Sequence, residues 1–334
     1  MKRKGPTLRD IARLAGVSHT TVSRVLNKDH RVRSETAEKV RAVVDAHKYR
    51  LDPLARRFAR GQSNLIGLMV SDVKNPFYAE MARSIEDQAR KMGYLLTICS
   101  TDGEAEVLEW YIDAVINAGI DGLIFASVHL VEPVVETLIR DRFPLVMINR
   151  RLKADRGDSV VLDNRKGAYL LTRHLIENGY RKIALINGPA DVSTAVERLQ
   201  GYRQALRESG IRVKQRYVRH VNFSRCDGFD TAMTMLQGTD RPDAIFGGND
   251  YLAMGIMDAA AQWNLSVPED LAVVGFDSTE LAQSMELTTV SQHLHQMGSL
   301  AVQSLIQSIE QKPRQEPFRV VLEPKLVIRK SSCS

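Results

Sequence analysis

Apolar positions near the amino terminus recur at three- and four-residue spacing, and from Leu65 onward they contract into short unbroken runs. Leu8, Ile11, Ala12 and Ala15 form one stripe of a helix, the period expected of an amphipathic segment. Thr7 precedes that stripe and Asp10 stands three residues later, the arrangement of a capping box, while Gly16 supplies a left-handed exit. Ser18 is placed to cap a second helix, with Val22, Val25 and Leu26 inward and His19, Thr20, Ser23 and Arg24 outward. Val40, Val43 and Val44 predict a third helix starting at a Ser34 cap.

Beyond this leader the pattern changes to strands alternating with helices. LIGLMV is followed by a helix after Pro76, YLLTIC by a helix over 104–118, GLIFAS by a helix over 131–140, and LVMIN begins near 145. The rhythm recurs at KIALIN (182–187), AIFGG (244–248) and LAVVGF (271–276). Unbroken apolar strands followed by helices predict an α/β fold, here two parallel-sheet units with helices on both faces. Ligands of such sheets sit at the carboxyl ends of the strands. There the sequence places Asp72 and Asn75, then Asn149 and Arg150, then Asn249 and Asp250, and finally Asp277; Asp250 is read as the cap of the helix beginning YLAMG.

Charge divides the chain in the same place. Residues 1–60 hold sixteen Lys and Arg against six Asp and Glu, a balance of +10 in a chain whose total is +6, so the remainder carries −4. A basic folded leader on a mildly acidic body fits a phosphate-binding headpiece. Two short helices hinged at a glycine, the second displaying short hydrogen-bonding side chains, match a helix-turn-helix, whose second helix enters the major groove. The competing reading is a helical hairpin with a solvated face. An arginine on the second helix, here Arg24, can take guanine O6 and N7 together.

Other chemistries find little support. The chain has no G-x-G-x-x-G, Walker, H-E-x-x-H or G-x-S-x-G sequence, so no catalytic residues are assigned. Cys99, Cys226 and Cys333 are widely spaced and odd in number, which favours a reducing compartment and argues against a zinc site; no metal and no cofactor is expected. The start MKRKGPTLRD lacks a signal-peptide apolar run, and no stretch reaches the ~20 apolar residues of a membrane span. A cytoplasmic location is expected.

AGVSHTTVSRVLN, the basic segment ending KYRLDPLARRFARGQSNLIGLMV, VSDVKNPFYAEM, AIFGGNDYLAMG, VVGFDS, TTVSQ and LVIRKSS occur in order. Together they resemble the lactose-repressor/galactose-repressor family of bacterial transcription regulators over the full length. The resemblance implies a helix-turn-helix headpiece over 1–51 and a hinge helix over 52–61. It implies a core over 62–330 similar to periplasmic sugar-binding proteins, with one subdomain at about 62–161 and 292–322 and the other at about 162–291 and 323–330. DNA contacts are implied at Thr7, Ser18, His19, Thr20, Ser23, Arg24 and Asn27. In the hinge they are implied at Leu54, Ala55, Arg57 and Phe58, with Arg56 and Arg60 beside them on phosphates. The family wedge that enters the minor groove is usually leucine; here its position matches Phe58.

For the core, the resemblance implies effector contacts from Asp72, Asn75, Asn149, Arg150, Arg198, Asn249, Asp277 and Gln292, with Phe77 and Tyr78 stacking on an apolar ring face. Aspartate is the commoner residue where Asn149 stands. The implied protein is a homodimeric regulator, usually a repressor, that reads a palindromic operator. A sugar or sugar derivative controls it as inducer or corepressor. No leucine heptad follows LVIRKSS, so a tail-built tetramer is not expected. A solute-binding protein and an enzyme on the same sheets are the alternatives from other classes; the basic leader stands against the first.

Overall fold

The computed structural model describes residues 6–26, 31–47, 63–154, 156–311 and 316–333. They fall into two compact units, Met1–Ser63 and Asn64–Ser334. The hinge segment 52–61, with Leu54, Ala55, Arg57 and Phe58, lies outside the described residues, as does Asn27.

The first unit holds α1 (Leu8–Ala15), α2 (His19–Leu26) and α3 (Ser34–Ala46). The capping box is formed: Thr7 N–H donates to Asp10 Oδ2 at 2.9 Å and Asp10 N–H to Thr7 Oγ1 at 3.3 Å. Gly16 has φ +64° and its N–H reaches back to the Ala12 and Arg13 carbonyls, a geometry costly for any residue with a Cβ. Ser18 Oγ accepts from Thr21 N–H at 3.1 Å and caps the start of α2, just beyond the Gly16 exit from α1. Ile11, Ala15, Val22 and Val40 are fully buried between the three helices. The third helix departs from expectation at its start. Ser34 is its first helical residue, Arg33 occupies the cap position, and no side chain caps it.

The second unit contains two parallel sheets. The larger runs β11-β5-β4-β3-β1-β2, built from β1 (Leu65–Val70), β2 (Leu95–Ser100), β3 (Gly122–Phe125), β4 (Leu145–Ile148), β5 (Asp158–Leu162) and β11 (Arg319–Leu322). The smaller runs β7-β6-β8-β9, from β6 (Ile183–Asn187), β7 (Val218–His220), β8 (Ala244–Gly247) and β9 (Ala272–Val274). A third, antiparallel pair joins β10 (Thr289–Ser291) to β12 (Lys325–Val327). The chain therefore passes between the sheets after Leu162, before Leu294 and after Leu322, three strands that make a two-lobed body foldable about its crossovers.

Side chains of a strand alternate between faces, and the buried clusters follow that alternation. Ile66, Leu68 and Val70 of β1 join Ile124, Val146 and Val160 on one face, while Met69 joins Leu123, Phe125 and Met147 on the other. Helices cover both faces, which is why these strands read as unbroken apolar runs. On the larger sheet they are α4 (Pro76–Lys91), α5 (Ala105–Asn117), α6 (Pro133–Arg140) and α12 (Leu294–Glu310). On the smaller sheet they are α7 (Asn164–Glu177), α8 (Ser193–Glu208), α9 (Arg225–Leu236) and α10 (Asp250–Gln262), with the short α11 (Glu280–Ser284) beyond β9. Helices α7 and α8 approach closely at Gly201, where an added Cβ would lie 2.1 Å from the Arg165 carbonyl oxygen.

Candidate functional site

Parallel strands deliver their carboxyl ends to one edge, and in this body the edges of the two sheets face each other. The loop after β1 enters α4 through Asn75, whose Oδ1 accepts from Phe77 N–H at 3.1 Å, with Pro76 pre-set as the first helical residue. This cap fixes the first turn so that Phe77 and Tyr78, each 4% exposed, meet edge to face at 5.3 Å and 70°. Ser71 Oγ donates to Tyr78 Oη at 3.0 Å and holds the phenol.

After β4 the backbone turns through Asn149 at φ +67°, a conformation asparagine tolerates better than most residues. Its Nδ2 donates to the Ala126 carbonyl at 3.3 Å, while its Oδ1 is buried with no partner. Arg150 is also buried, its Nε unpartnered and its guanidinium 5.6 Å from the Phe223 ring.

The smaller sheet contributes Arg198 from α8. Its Nε donates to Asn164 Oδ1 at 2.9 Å, its Nη1 to the Gly248 carbonyl at 2.5 Å, and its plane lies 3.8 Å from the Phe276 ring centroid. Burial pulls its pKa down to about 10, against the opposing field of Asp277, so the group remains a cation at neutral pH. Asp277, at φ +132° beyond β9, sits 3.7 Å from Arg198 Nη2 and accepts from Gln292 Nε2 at 2.5 Å. Burial raises its pKa well above the usual carboxylate range; Arg198 pulls it back and the nearby Asp250 pushes it further up.

These side chains enclose a small cavity of about 20 Å³ lined by Asn75, Phe77, Tyr78, Asn149, Arg150, Thr194, Arg198, Phe223, Asn249 and Asp277. Three positions named from the sequence stand differently. Asp72 does not line it: its Oδ1 accepts from Lys74 N–H at 2.9 Å and closes the turn before α4. Gln292 lies behind Asp277 as its positioning partner, with its own Oε1 buried and unpartnered. Asn249, not Asp250, caps α10, accepting from Leu252 N–H at 2.8 Å. Asp250 is consumed by Thr279 and Thr289, whose hydroxyls donate to it at 3.0 and 2.7 Å.

Thr194 and Phe223 were not singled out from the sequence. Thr194 sits in the first turn of α8, a position with no motif around it, and Phe223 follows β7, a strand too short and polar to read as one. Among the described residues no cluster of three His, Cys, Asp or Glu converges to hold a metal ion.

Direct bonds join the lobes around the cavity. Glu280 N–H donates to Glu80 Oε1 at 2.9 Å, His129 Nδ1 lies 2.9 Å from Asp191 Oδ2, and Arg151 bonds Ser193 Oγ and Glu197 Oε1 at 3.1 and 2.9 Å. Burial raises the Glu80 pKa, opposed by that backbone hydrogen bond.

In the amino-terminal unit Ser18, His19, Thr20 and Arg24 are exposed on α2 and Ser23 is half-buried. The Ser18 hydroxyl also bonds those of Thr20 and Thr21, at 2.7 and 2.8 Å. Thr7 is exposed at the start of α1, its hydroxyl donating to Asp10 Oδ2 at 2.7 Å. No helix among the described residues is long and apolar enough to cross a membrane.

Comparison with known proteins gives both units a counterpart. Residues 7–52 match the family described as bacterial regulatory proteins, lacI family, and residues 63–330 match the periplasmic binding proteins and sugar binding domain of LacI family. The ribose operon repressor of Escherichia coli (strain K12) is 36% identical, over 98% of this chain and 99% of that protein. The transcriptional regulator DegA of Bacillus subtilis (strain 168) is 34% identical, over 98% of each. Among solved structures, the lac repressor dimer bound to operator and the anti-inducer ONPF superposes with a TM-score of 0.87 at 28% identity, covering 99% of this chain and 100% of that one. The complex of the regulator CelR with cellobiose gives 0.74 at 29%, covering 98% and 99%. A helix-turn-helix with its caps in place, followed by a two-lobed α/β body around a polar cavity, places this chain in the lacI family of bacterial regulatory proteins, the DNA-binding transcriptional regulators that carry a sugar-binding domain.

Proposed function

We propose that the chain is a homodimeric repressor whose operator affinity is set by a pentose, or a polyhydroxylated ring of similar size, enclosed between the lobes. One observation carries the reading: aromatic rings and unpartnered polar atoms belong to the same small cavity. Phe77 and Tyr78 offer apolar surface to a ring face. Asn149 Oδ1 and Arg150 Nε are buried polar atoms of its lining with no hydrogen-bond partner within the protein. Each such group costs about 1–3 kcal/mol unless something bonds to it, and a sugar hydroxyl is both donor and acceptor. As the lobes stand the free space is about 20 Å³, room for about one water, so the site is closed and the lobes must part to admit a ligand. Similarity to a ribose operon repressor favours a pentose as that ligand.

Dimerisation is supported by the apolar edge of the larger sheet. β2 is an edge strand with Leu95 72% and Ile98 47% exposed, and a groove beside it is lined by Val70, Val73, Ala82 and Leu96. Unpaired strand edges and apolar patches of this kind are normally covered. Two headpieces so brought together would read two half-sites with α2 in the major groove, and His19, Thr20 and Arg24 would face the bases.

Calorimetric titration of the full-length protein with ribose, xylose, glucose and cellobiose tests the effector. Saturable binding of a pentose, with operator affinity changed in a parallel mobility-shift assay, is the expected result. To convert a mostly bound operator population into a mostly free one, the sugar must prefer the released conformation by about 5.5 kcal/mol. Binding of cellobiose in preference to the pentoses would overturn the pentose reading.

A further inference from the structure

The smaller sheet carries a second cavity at the end opposite the cleft. About 160 Å³ in volume, it opens where Arg181 and Lys182 lead into β6 and where the loop after α8 carries Arg212 and Lys214; Tyr202, Tyr217 and neighbouring aliphatic side chains line it. Because β6 and β7 run parallel, their amino ends share this edge, while Asn249 and the sugar cavity follow the carboxyl ends.

The charges here are concentrated and held in place. Lys182 and Lys214 reach the two oxygens of Asp240 at 2.9 and 2.8 Å, and Arg216 is paired to the same carboxylate, so one anion serves three cations. Asp243 is occupied by the backbone N–H groups of Arg181 and Lys182, at 3.0 and 2.9 Å. Arg181 itself donates to the carbonyls of Ile176 and Tyr180. Arg212 makes no hydrogen bond or ion pair among the described residues. Five cations against two carboxylates do not follow from composition, since the chain after Arg60 carries a net −4. Lys214 and Arg216 lie 5.2 and 5.5 Å from the Tyr217 ring, whose hydroxyl donates to the Asp240 carbonyl at 3.0 Å, so the cationic rim stands on a fixed platform.

We propose that this cavity is a second effector site and that it takes a phosphorylated small molecule. Its phosphate engages Arg212, Lys214 and Lys182, and its organic part covers the apolar floor. A guanidinium with its donors uncommitted matches a phosphate edge in shape and charge, and two ammonium groups pre-positioned by Asp240 need little further ordering. The site is separate from the sugar cavity, so the two ligands can act on one body together.

Isothermal titration of the full-length protein with ribose 5-phosphate at about 0.15 M salt tests this, with inorganic phosphate and ribose as controls. Ribose 5-phosphate is expected to bind saturably and more tightly than inorganic phosphate. The exposed double variant Arg212→Ala/Lys214→Ala is expected to weaken it about ten- to a hundredfold, the value of charged hydrogen bonds, with an unchanged melting temperature. Asn149→Gly, in the other cavity, is expected to leave it in place. The proposal is overturned if ribose 5-phosphate binds no better than inorganic phosphate. It is also overturned if the Asn149 variant loses that ligand while the double variant keeps it, or if only a long polyanion such as heparin binds.

Discussion

Arg198 and Asp277 form a buried pair at 3.7 Å, too long for a direct hydrogen bond, although each is less than 5% exposed. Arg198 spends its short bonds on neutral acceptors, Asn164 Oδ1 and the Gly248 carbonyl, and Asp277 spends its short bond on Gln292. The pair is therefore coupled through space and not by a direct hydrogen bond. Burial costs each its charged form, lowering the pKa of the arginine and raising that of the acid.

That arrangement sets a pH dependence. Because the folded Asp277 holds its proton to higher pH than the unfolded chain does, the fold binds the extra proton, and stability falls as pH rises from about 4 toward the raised value. Asp277→Asn removes the titration. Urea denaturation across a pH series is expected to show the variant gaining on the parent as pH rises, while sugar affinity drops at every pH. Parallel curves for the two proteins would contradict the assignment.

Asn149 presents an unpartnered Oδ1 and donates only one long bond, at 3.3 Å, so its side chain contributes little to the fold. Asn149→Gly, which keeps the φ +67° backbone accessible, is expected to weaken sugar binding by about 1–3 kcal/mol while changing stability by much less. Calorimetry alongside thermal melts separates the two effects.

Arg24 is exposed on α2, outside the Val22 and Val25 core. Replacement by alanine is expected to cost about 1–3 kcal/mol on cognate operator and far less on unrelated DNA, as measured by fluorescence anisotropy at fixed salt. Equal losses on both would make Arg24 a phosphate contact.

At Gly201 the missing side chain allows α8 to lie against α7, with the Arg165 carbonyl only 2.1 Å from where a Cβ would stand. Gly201→Ala forces the helices apart and is expected to destabilise the body by about 1–3 kcal/mol, by denaturant titration. Helix propensity alone would predict the opposite sign.

The headpiece was legible because its signals are local: a capping box, a glycine exit and an apolar stripe lie within ten residues of one another. The principal parallel strands were legible for a similar reason, since burial on both faces leaves unbroken apolar runs. β7, with Arg219 and His220 exposed, carries no such run, and Phe223 behind it was invisible for that reason. Asn249 and Asp250 are neighbours that can both cap a helix. Only the approach of Thr279 and Thr289 from the segments beyond β9 decides that the aspartate belongs to them. Asp72 looked like a ligand group at a strand end and is spent on its own turn.

The bonds that tie Glu80 to Glu280, His129 to Asp191 and Arg151 to Glu197 give the sugar cavity a ceiling on what it can swallow. A molecule that keeps the ring contacts but adds a bulky substituent cannot be enclosed, and those bonds must stay broken while it is bound. Such a compound would act as a doorstop to the proposed effector, competing for the same residues while holding the lobes apart. Occupancy of the cavity and closure of the lobes would then be separable, and enlargement of the ring is the change that separates them.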